Sequence, residues 1–308
     1  MFSEDKPYFR IEDLASLNLP PIIVWAIPVM LSLVLLEYFL EQRKNRVTYK
    51  KNTFWPSVGI GAGNLVFTAL SQVLVFTIIL FCFNLTPLYF PITWWSFILC
   101  YIALDFCRYL AHRVAHRQRF WWATHVTHHS SEDYNFAVSF RLSWVQQLKL
   151  VFFLPIALAG FHPVVFFVCH QIGVLYQFWI HTETINKMPK WFEFIFVTPS
   201  HHRVHHGTNE QYIDKNFGSS LIIWDRIFGT FEPEVERATY GITKPMNSIN
   251  PIRLVFHEFV DIGKDLLKVR NLKDAFKVVF SPPGTWENPD NKKGEDKKSP
   301  IEKVESVQ

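Results

Sequence analysis

Histidine carries most of the chemistry available to this chain, and its spacing is regular. His112 and His116 form HRVAH. His125, His128 and His129 form HVTHH. His202, His205 and His206 form HRVHH, directly preceded by His201. On a helix, residues at i, i+3 and i+4 project from one face, so each HxxHH turn is expected to aim three imidazoles at one centre. Two such turns and one HxxxH turn offer eight ring nitrogens. A tetrahedral zinc takes about four ligands, so the count points to two metals. Imidazole suits iron, zinc, copper and nickel, and disfavours the oxygen-seeking calcium and magnesium.

His181, in YQFWIHTE, lies at the end of an apolar segment and is placed to join the clusters. His162 and His257 stand alone and read as ordinary polar residues. His170 sits within an apolar run and reads as a buried polar group rather than a ligand. A metal-bound imidazole needs a partner for its other N–H. Asp105, seven residues before His112, is a candidate, as are Gln177, Glu183, His201 and Asp225. An acid at membrane depth is costly unless paired, which favours a role for Asp105.

The elements that must position these groups are apolar. Of 308 residues, 49% are hydrophobic and 17% aromatic, which reads as membrane-embedded. Apolar runs cover 21–40, 58–83 and 94–110. A fourth, 148–180, is broken near Gly160, His162 and Pro163 and predicts a helical hairpin. Glu37 falls where it can reach the membrane interface. The first twenty residues are polar and show no cleavable signal peptide. After the first run come Arg43, Lys44, Arg46, Lys50 and Lys51 against one acid, Glu41, which places the loop 42–53 in the cytoplasm. Counting spans from there puts every histidine cluster, and the C-terminal tail, on that same side. The expectation is an all-α integral membrane protein of about four transmembrane helices, one a broken hairpin, with a cytoplasmic histidine-rich dimetal cap.

A net charge of +4, with no recognisable motif, gives no case for nucleic-acid binding. The four cysteines, Cys82, Cys100, Cys107 and Cys169, lie in apolar stretches without a CxxC pair and read as apolar fillers. Residues 251–284 alternate apolar and charged positions at helical spacing, predicting interfacial amphipathic helices. Residues 285–308 are rich in Lys, Glu, Asp, Asn and Pro and predict a disordered tail.

The order HxxxH, HxxHH, single His, HxxHH, followed by WDRIFGTF, resembles the fatty acid hydroxylase and sterol desaturase superfamily. ATHVTHHSSEDYN, LYQFWIHTE, TPSHHRVHHGTN and YIDKNFG are most similar to its alkylglycerol-oxidising branch. The resemblance covers roughly residues 105–231 and makes 21–250 the membrane hydroxylase domain, after a polar segment 1–20. It implies a four-helix bundle and two ferrous ions held by His112, His116, His125, His128, His129, His181, His202, His205 and His206. It also implies dioxygen activation at an unactivated C–H bond of a lipid. Fatty acid 2-hydroxylases carry a further histidine four residues before the position of His181; here that residue is Gln177. The chain has neither an HPGG haem segment nor a GxGxxG motif, so electrons must come from an external donor. The resemblance implies tetrahydrobiopterin, and a redox protein docking on the basic face is the alternative. The active site would face the cytoplasm, from the inner membrane of a bacterium or the endoplasmic reticulum of a eukaryote. A lipid, sterol or carotenoid desaturase on the same scaffold is the second reading. A membrane metal transporter is the third, disfavoured because transporters hold their ligands near the bilayer midplane.

Overall fold

The computed structural model describes residues 6–44, 48–244 and 246–286. The tail expected to be disordered lies almost wholly outside the described residues, as does Arg46 of the basic loop. Among the described residues the protein is helical and has no β-strand. Two long apolar helices come first, α1 (Ile22–Arg43) and α2 (Lys51–Leu85). At 1.5 Å per residue they are about 33 and 52 Å long, enough to cross a hydrocarbon core of roughly 30 Å. Side chains such as Trp25, Val29 and Phe39 of α1 and Leu70, Val73 and Leu74 of α2 face outward. Two helices with this much exposed apolar surface fit a membrane protein.

Next come α3 (Trp94–Arg117), and the short α4 (Arg119–Ala123) and α5 (Val126–His129). α3 runs past the expected end of its apolar run and carries His112 and His116 on its last turns. Thr93 and Ser96 cap its start reciprocally. The expected hairpin is only half formed. Residues 146–152 make a 3-10 segment leading into α6 (Leu154–Leu158), whereas the second arm is one continuous helix, α7 (Pro163–Trp179). Pro155 and Pro163 each sit in a first turn, where proline starts a helix but cannot continue one. Between them Gly160 turns with φ +86°, and a Cβ there would lie 2.1 Å from the Leu88 carbonyl oxygen. The bend is therefore locked against the α2–α3 connection.

The remainder comprises α8 (Lys190–Ile195), α9 (Pro199–His206), α10 (Ile223–Phe228), α11 (Pro251–Leu266) and α12 (Leu272–Phe280). The main apolar core joins α2, α3, α6 and α7 through Ile79, Leu104, Ile156, Val165 and Phe166. All four cysteines are buried and unpaired, and each belongs to that core.

The bundle has two different ends. At one, Phe9 and Asn84 exchange hydrogen bonds, and Phe90 pairs with the chain at Gly160 and His162. At the other lie the nine clustered histidines. α1, α3 and α7 run toward that end, and α2 starts from it. There α2 presents Gly63, whose missing Cβ leaves room for the Trp144 ring; an added Cβ would fall 2.3 Å from ring carbons. The Trp144 indole donates to the Ile60 carbonyl at 2.8 Å.

The helices α11 and α12 form where the amphipathic pattern placed them, but α11 packs on protein along one face. Leu254 and Val255 meet Ile60 of α2, and Ile262 meets Ala123 of α4. Buried Arg119 ties α4 to this helix, with Nε donating to Glu258 at 2.7 Å and an Nη to Asp265 at 2.8 Å. Removing the shared cation leaves part-buried Glu258 without its partner and Asp265 with Lys268 alone, at a cost of about 2 kcal/mol. Arg119→Ala is expected to lower the unfolding midpoint in detergent and to raise hydrogen exchange across 251–266 first. An unchanged midpoint and exchange profile would show that α11 is held by its apolar face alone.

Candidate metal centre

All nine histidines of the clustered set come together at one end of the bundle, in two neighbouring groups. His112, His116, His125, His129 and His205 form the first; His128, His181, His202 and His206 form the second. Within each group the ligand-capable atoms lie within 4.8 Å of one another. The expectation that one HxxHH turn serves one centre is corrected here. Residues i and i+4 share a face, and the residue next to them in sequence is turned about 100° away. So His125 and His129 enter the first group while His128 enters the second. His202 and His206 enter the second while His205 enters the first. Each HxxHH motif thus supplies both groups, while HRVAH supplies only the first. His129 and His206, one from each, stack at 4.3 Å.

The nitrogens meet through Nε2. In the first group Nε2 of His125 lies 2.8 Å from that of His112 and 3.2 Å from that of His129, and His129 and His205 are 3.1 Å apart. In the second, His181 lies 3.0 Å from both His128 and His202, and His128 and His206 are 3.1 Å apart. Two nitrogens bound about 2.1 Å from one metal at right angles would be roughly 3.0 Å apart. The tautomers matter. Nδ1 of His112, His181 and His205 donates to the carbonyls of Phe217 (2.8 Å), Gln177 (2.6 Å) and Lys215 (2.9 Å). With the proton on Nδ1, their Nε2 lone pairs point into the groups. Three bare Nε2 lone pairs and their close imidazole neighbours suit a shared cation, so the donor set fits a metal in each group.

Burial keeps these rings neutral. Desolvation, then the neighbouring imidazoles and cations, holds His125, His128, His129, His202 and His206 well below the usual histidine range, and His205 likewise. His181 is lowered to about 4 by desolvation. Neutral imidazole is the metal-binding form.

One loop orients most of the first group. Asp214 faces Nδ1 of His116 at 3.5 Å, Lys215 takes the His205 proton, and Phe217 takes that of His112. Asp214 and Asn216 adopt positive φ (58° and 53°), which aspartate and asparagine tolerate better than most residues. Asn216, fully buried, bonds the carbonyls of His201 and Glu232.

Asp105 touches no histidine, contrary to the partnership suggested by its spacing from His112. It accepts from the backbone N–H of Ser220 (2.8 Å) and Leu221 (3.1 Å) and from the Trp224 indole (3.0 Å). Asp225 accepts from the N–H of Phe217 and Gly218, both at 2.7 Å. Both acids therefore reach His112 through the loop that carries Phe217. Gln177 meets His181 through its carbonyl, while its side chain turns back to Gly173. Glu183 pairs with Arg237 and the Tyr240 hydroxyl. His201 is buried against Phe231 and lies outside both groups, as do His162, His170 and His257.

Sequence reasoning missed three clamps. Arg203, inside HRVHH, bonds the carbonyls of Thr182, Ile185 and Asn186 and pairs with Glu234. Arg141, 2% exposed, braces HVTHH through the Thr127 carbonyl and the Ser130 hydroxyl. Glu37, also 2% exposed, does not reach solvent at the interface. It binds Tyr49, Thr182 and the Phe136 N–H, tying α1 to the residue after His181. An acid within an apolar run was the available signal.

Residues 97–230, which contain both groups, match the fatty acid hydroxylase family. Alkylglycerol monooxygenase of Homo sapiens is 46% identical over 203 residues, covering 66% of this chain and 44% of that protein. The Danio rerio enzyme of the same name is 35% identical over 295 residues, covering 92% of this chain and 63% of its own length. An ornithine lipid hydroxylase of Rhizobium tropici is 28% identical over 146 residues, 46% of this chain and 44% of that protein. The chain spans about half the length of the curated relatives it matches. No solved structure matches.

A histidine held neutral in the fold binds a proton only on unfolding once pH falls below about 6.5, so the unfolded chain then binds more protons. Its contribution is complete above that pH and is lost as pH falls toward the folded value, about 4 for His181. Metal-free protein is expected to lose roughly 1.4 kcal/mol per pH unit for each such proton. Its unfolding midpoint should drop steeply from pH 7 to pH 5. A flat profile would mean that the imidazoles are not buried neutral.

Proposed function

From a chain that carries a fatty acid hydroxylase domain at residues 97–230, we propose a membrane-bound monooxygenase that hydroxylates a C–H bond of a lipid, in the manner of the alkylglycerol monooxygenases it resembles. One observation carries the reading. Nine imidazoles converge as two adjacent nitrogen-only groups at the end of an apolar, outward-facing helical bundle.

In this reading the nine histidines hold two ferrous ions, five around one and four around the other. When bound, such ions supply the redox capacity that activates dioxygen toward an unactivated C–H bond, which zinc lacks. The protein does the positioning. The carbonyls of Phe217, Lys215 and Gln177 keep Nδ1 protonated and Nε2 free, and Asp214 does the same for His116. Arg203, Arg141 and Glu37 fix the segments that carry the second group. The spans α1, α2, α3 and the α6–α7 hairpin form a four-part membrane bundle in which a lipid tail lies with its reactive carbon toward the histidine end. The exposed faces of α11 and α12, including Leu267 and Leu272, each 89% exposed, rest on the membrane surface. The basic residues around the start of α2 support a cytoplasmic histidine end by the positive-inside rule. The electrons come from tetrahydrobiopterin, a donor suggested by the same resemblance.

His128→Ala or His205→Ala, one from each group, is expected to abolish lipid-dependent oxygen consumption while the protein still inserts and folds. His257→Ala, whose Nδ1 only meets the Leu254 carbonyl of its own helix, should keep most activity. Product analysis by mass spectrometry should show a gain of one oxygen atom. A loss of two hydrogens instead would make the protein a desaturase, and wild-type turnover in both cluster variants would rule out either oxidation. In a second test, a cysteine placed near Gln308 in intact cells or sealed vesicles should be labelled only from the cytoplasmic side. Labelling from outside would overturn the proposed orientation.

A further inference from the structure

A cleft of about 220 Å³ opens where α8, α9 and α10 meet. Three cations line it, Lys187, Lys190 and Arg226, and none has a carboxylate at ion-pair distance among the described residues. The two acids of the wall are occupied elsewhere. Glu193 accepts from the Met188 N–H at 3.0 Å and the Thr198 hydroxyl at 3.1 Å, and Glu234 pairs with Arg203 at 2.7 Å. Lys187 meets only the Glu234 carbonyl, at 3.1 Å, and exposed Lys190 has no partner among the described residues. Arg226 sits over the Phe231 ring, 3.9 Å from its centre. It gives Nε and one Nη to the carbonyls of Phe194 and Glu193, which leaves its other Nη for a ligand. His201, 3% exposed, also lines the cleft, and its Nδ1 has no partner among the described residues. A buried polar atom left unpaired is the exception in a folded chain.

Apolar side chains continue outward from the cleft. Trp191 and Phe194 of α8 and Ile227 and Phe228 of α10 are exposed. Phe228 stacks on Phe106 and Tyr109 of α3, at 6.1 and 5.5 Å, and one turn to either side of Phe106 the side chains of Ile102 and Leu110 face outward. The patch therefore carries the outward apolar surface of the bundle to the rim of a basic cleft. Cations beside a bilayer attract anionic lipid, and exposed aromatic residues sit at the level of the headgroups. We propose that this cleft seats the phosphate of an anionic phospholipid, whose acyl chains run outside it over Trp191, Phe194 and Ile227 toward α3. Lys187, Lys190 and the spare Nη of Arg226 meet its charge. The spare ring nitrogen of His201 can hydrogen-bond a phosphate oxygen or hydroxyl. A lipid held there fastens α8, α9 and α10 to the bilayer beside His202, the next residue after His201. The inference needs only a bundle in a bilayer and stands apart from the oxygenase reading.

The test is native mass spectrometry of the full chain in detergent, titrated with phosphatidylglycerol and with phosphatidylcholine. Wild type is expected to hold phosphatidylglycerol the more tightly. A basic residue at a membrane surface contributes about a fivefold gain in binding, so Lys187→Gln/Lys190→Gln should weaken phosphatidylglycerol about twenty-fivefold and leave phosphatidylcholine unchanged. Arg270→Gln/Lys273→Gln, which removes the same charge from exposed positions at the α11–α12 connection and in α12, should bind like wild type. Equal losses in the two double variants would reduce the effect to general surface charge and overturn the site. So would a wild type that does not distinguish the two lipids. Inorganic phosphate at the same concentration should not displace phosphatidylglycerol, because it has no chains to rest on Trp191 and Phe194. Complete displacement would make this a site for soluble phosphate and overturn the lipid assignment.

Discussion

Nine imidazoles, six buried and three half-buried, crowd one end of the bundle, where burial works against charging any of them. A protonated ring in that volume would be repelled by its neighbours and poorly solvated, and the depressed pKa values along α5 and α9 express that cost. Neutrality alone is not enough, since each ring must also present the correct nitrogen. Carbonyl oxygens do most of that selection. Phe217, Lys215 and Gln177 each take an Nδ1–H and leave Nε2 bare. The rest of the architecture follows from the need to hold those carbonyls still.

The elements bearing the ligands could not do so unaided. α5 has four residues and α9 eight, well below the length at which a helix persists on its own. Buried charges supply the missing rigidity. Asp105 and Asp225 grip the loop that carries Phe217, Arg141 braces α5, and Arg203 and Glu37 fix the chain after His181. Each of these groups is buried with a full set of partners or nearly so, the condition under which a charge at membrane depth is tolerated. The same clamps connect α1 and α2 to the histidine end, so the apolar helices and the candidate centre form one mechanical unit.

Much of this was legible in the sequence. The membership of the cluster followed from histidine spacing, and the apolar runs found α1, α2, α3 and α7. Spacing misled on the division between the two groups, because adjacency in HH turns one ring away from the other as surely as i+4 aligns a pair. It also suggested Asp105 as a direct partner of His112, which it reaches only through the backbone. Carbonyl partners have no sequence signature, since any residue could supply the oxygen that Gln177 or Lys215 supplies. Asp214 and Asn216 were visible only as part of YIDKNFG, whose positive-φ turn is a backbone property. The first arm of the expected hairpin is a 3-10 segment followed by the short α6 rather than one long helix, because Pro155 can start but not continue a helix and Gly160 turns the chain, neither of which apolar periodicity reports.

The central proposal is that these histidines, grouped as five and four, hold two metals in nitrogen-rich surroundings of different composition. Mössbauer spectroscopy of protein loaded anaerobically with isotopically enriched ferrous iron tests this most directly. The account predicts two high-spin ferrous sites in equal amounts, distinguishable from each other, with about two irons bound per chain. A single iron environment at one iron per chain, unaffected by His128→Ala, would contradict it.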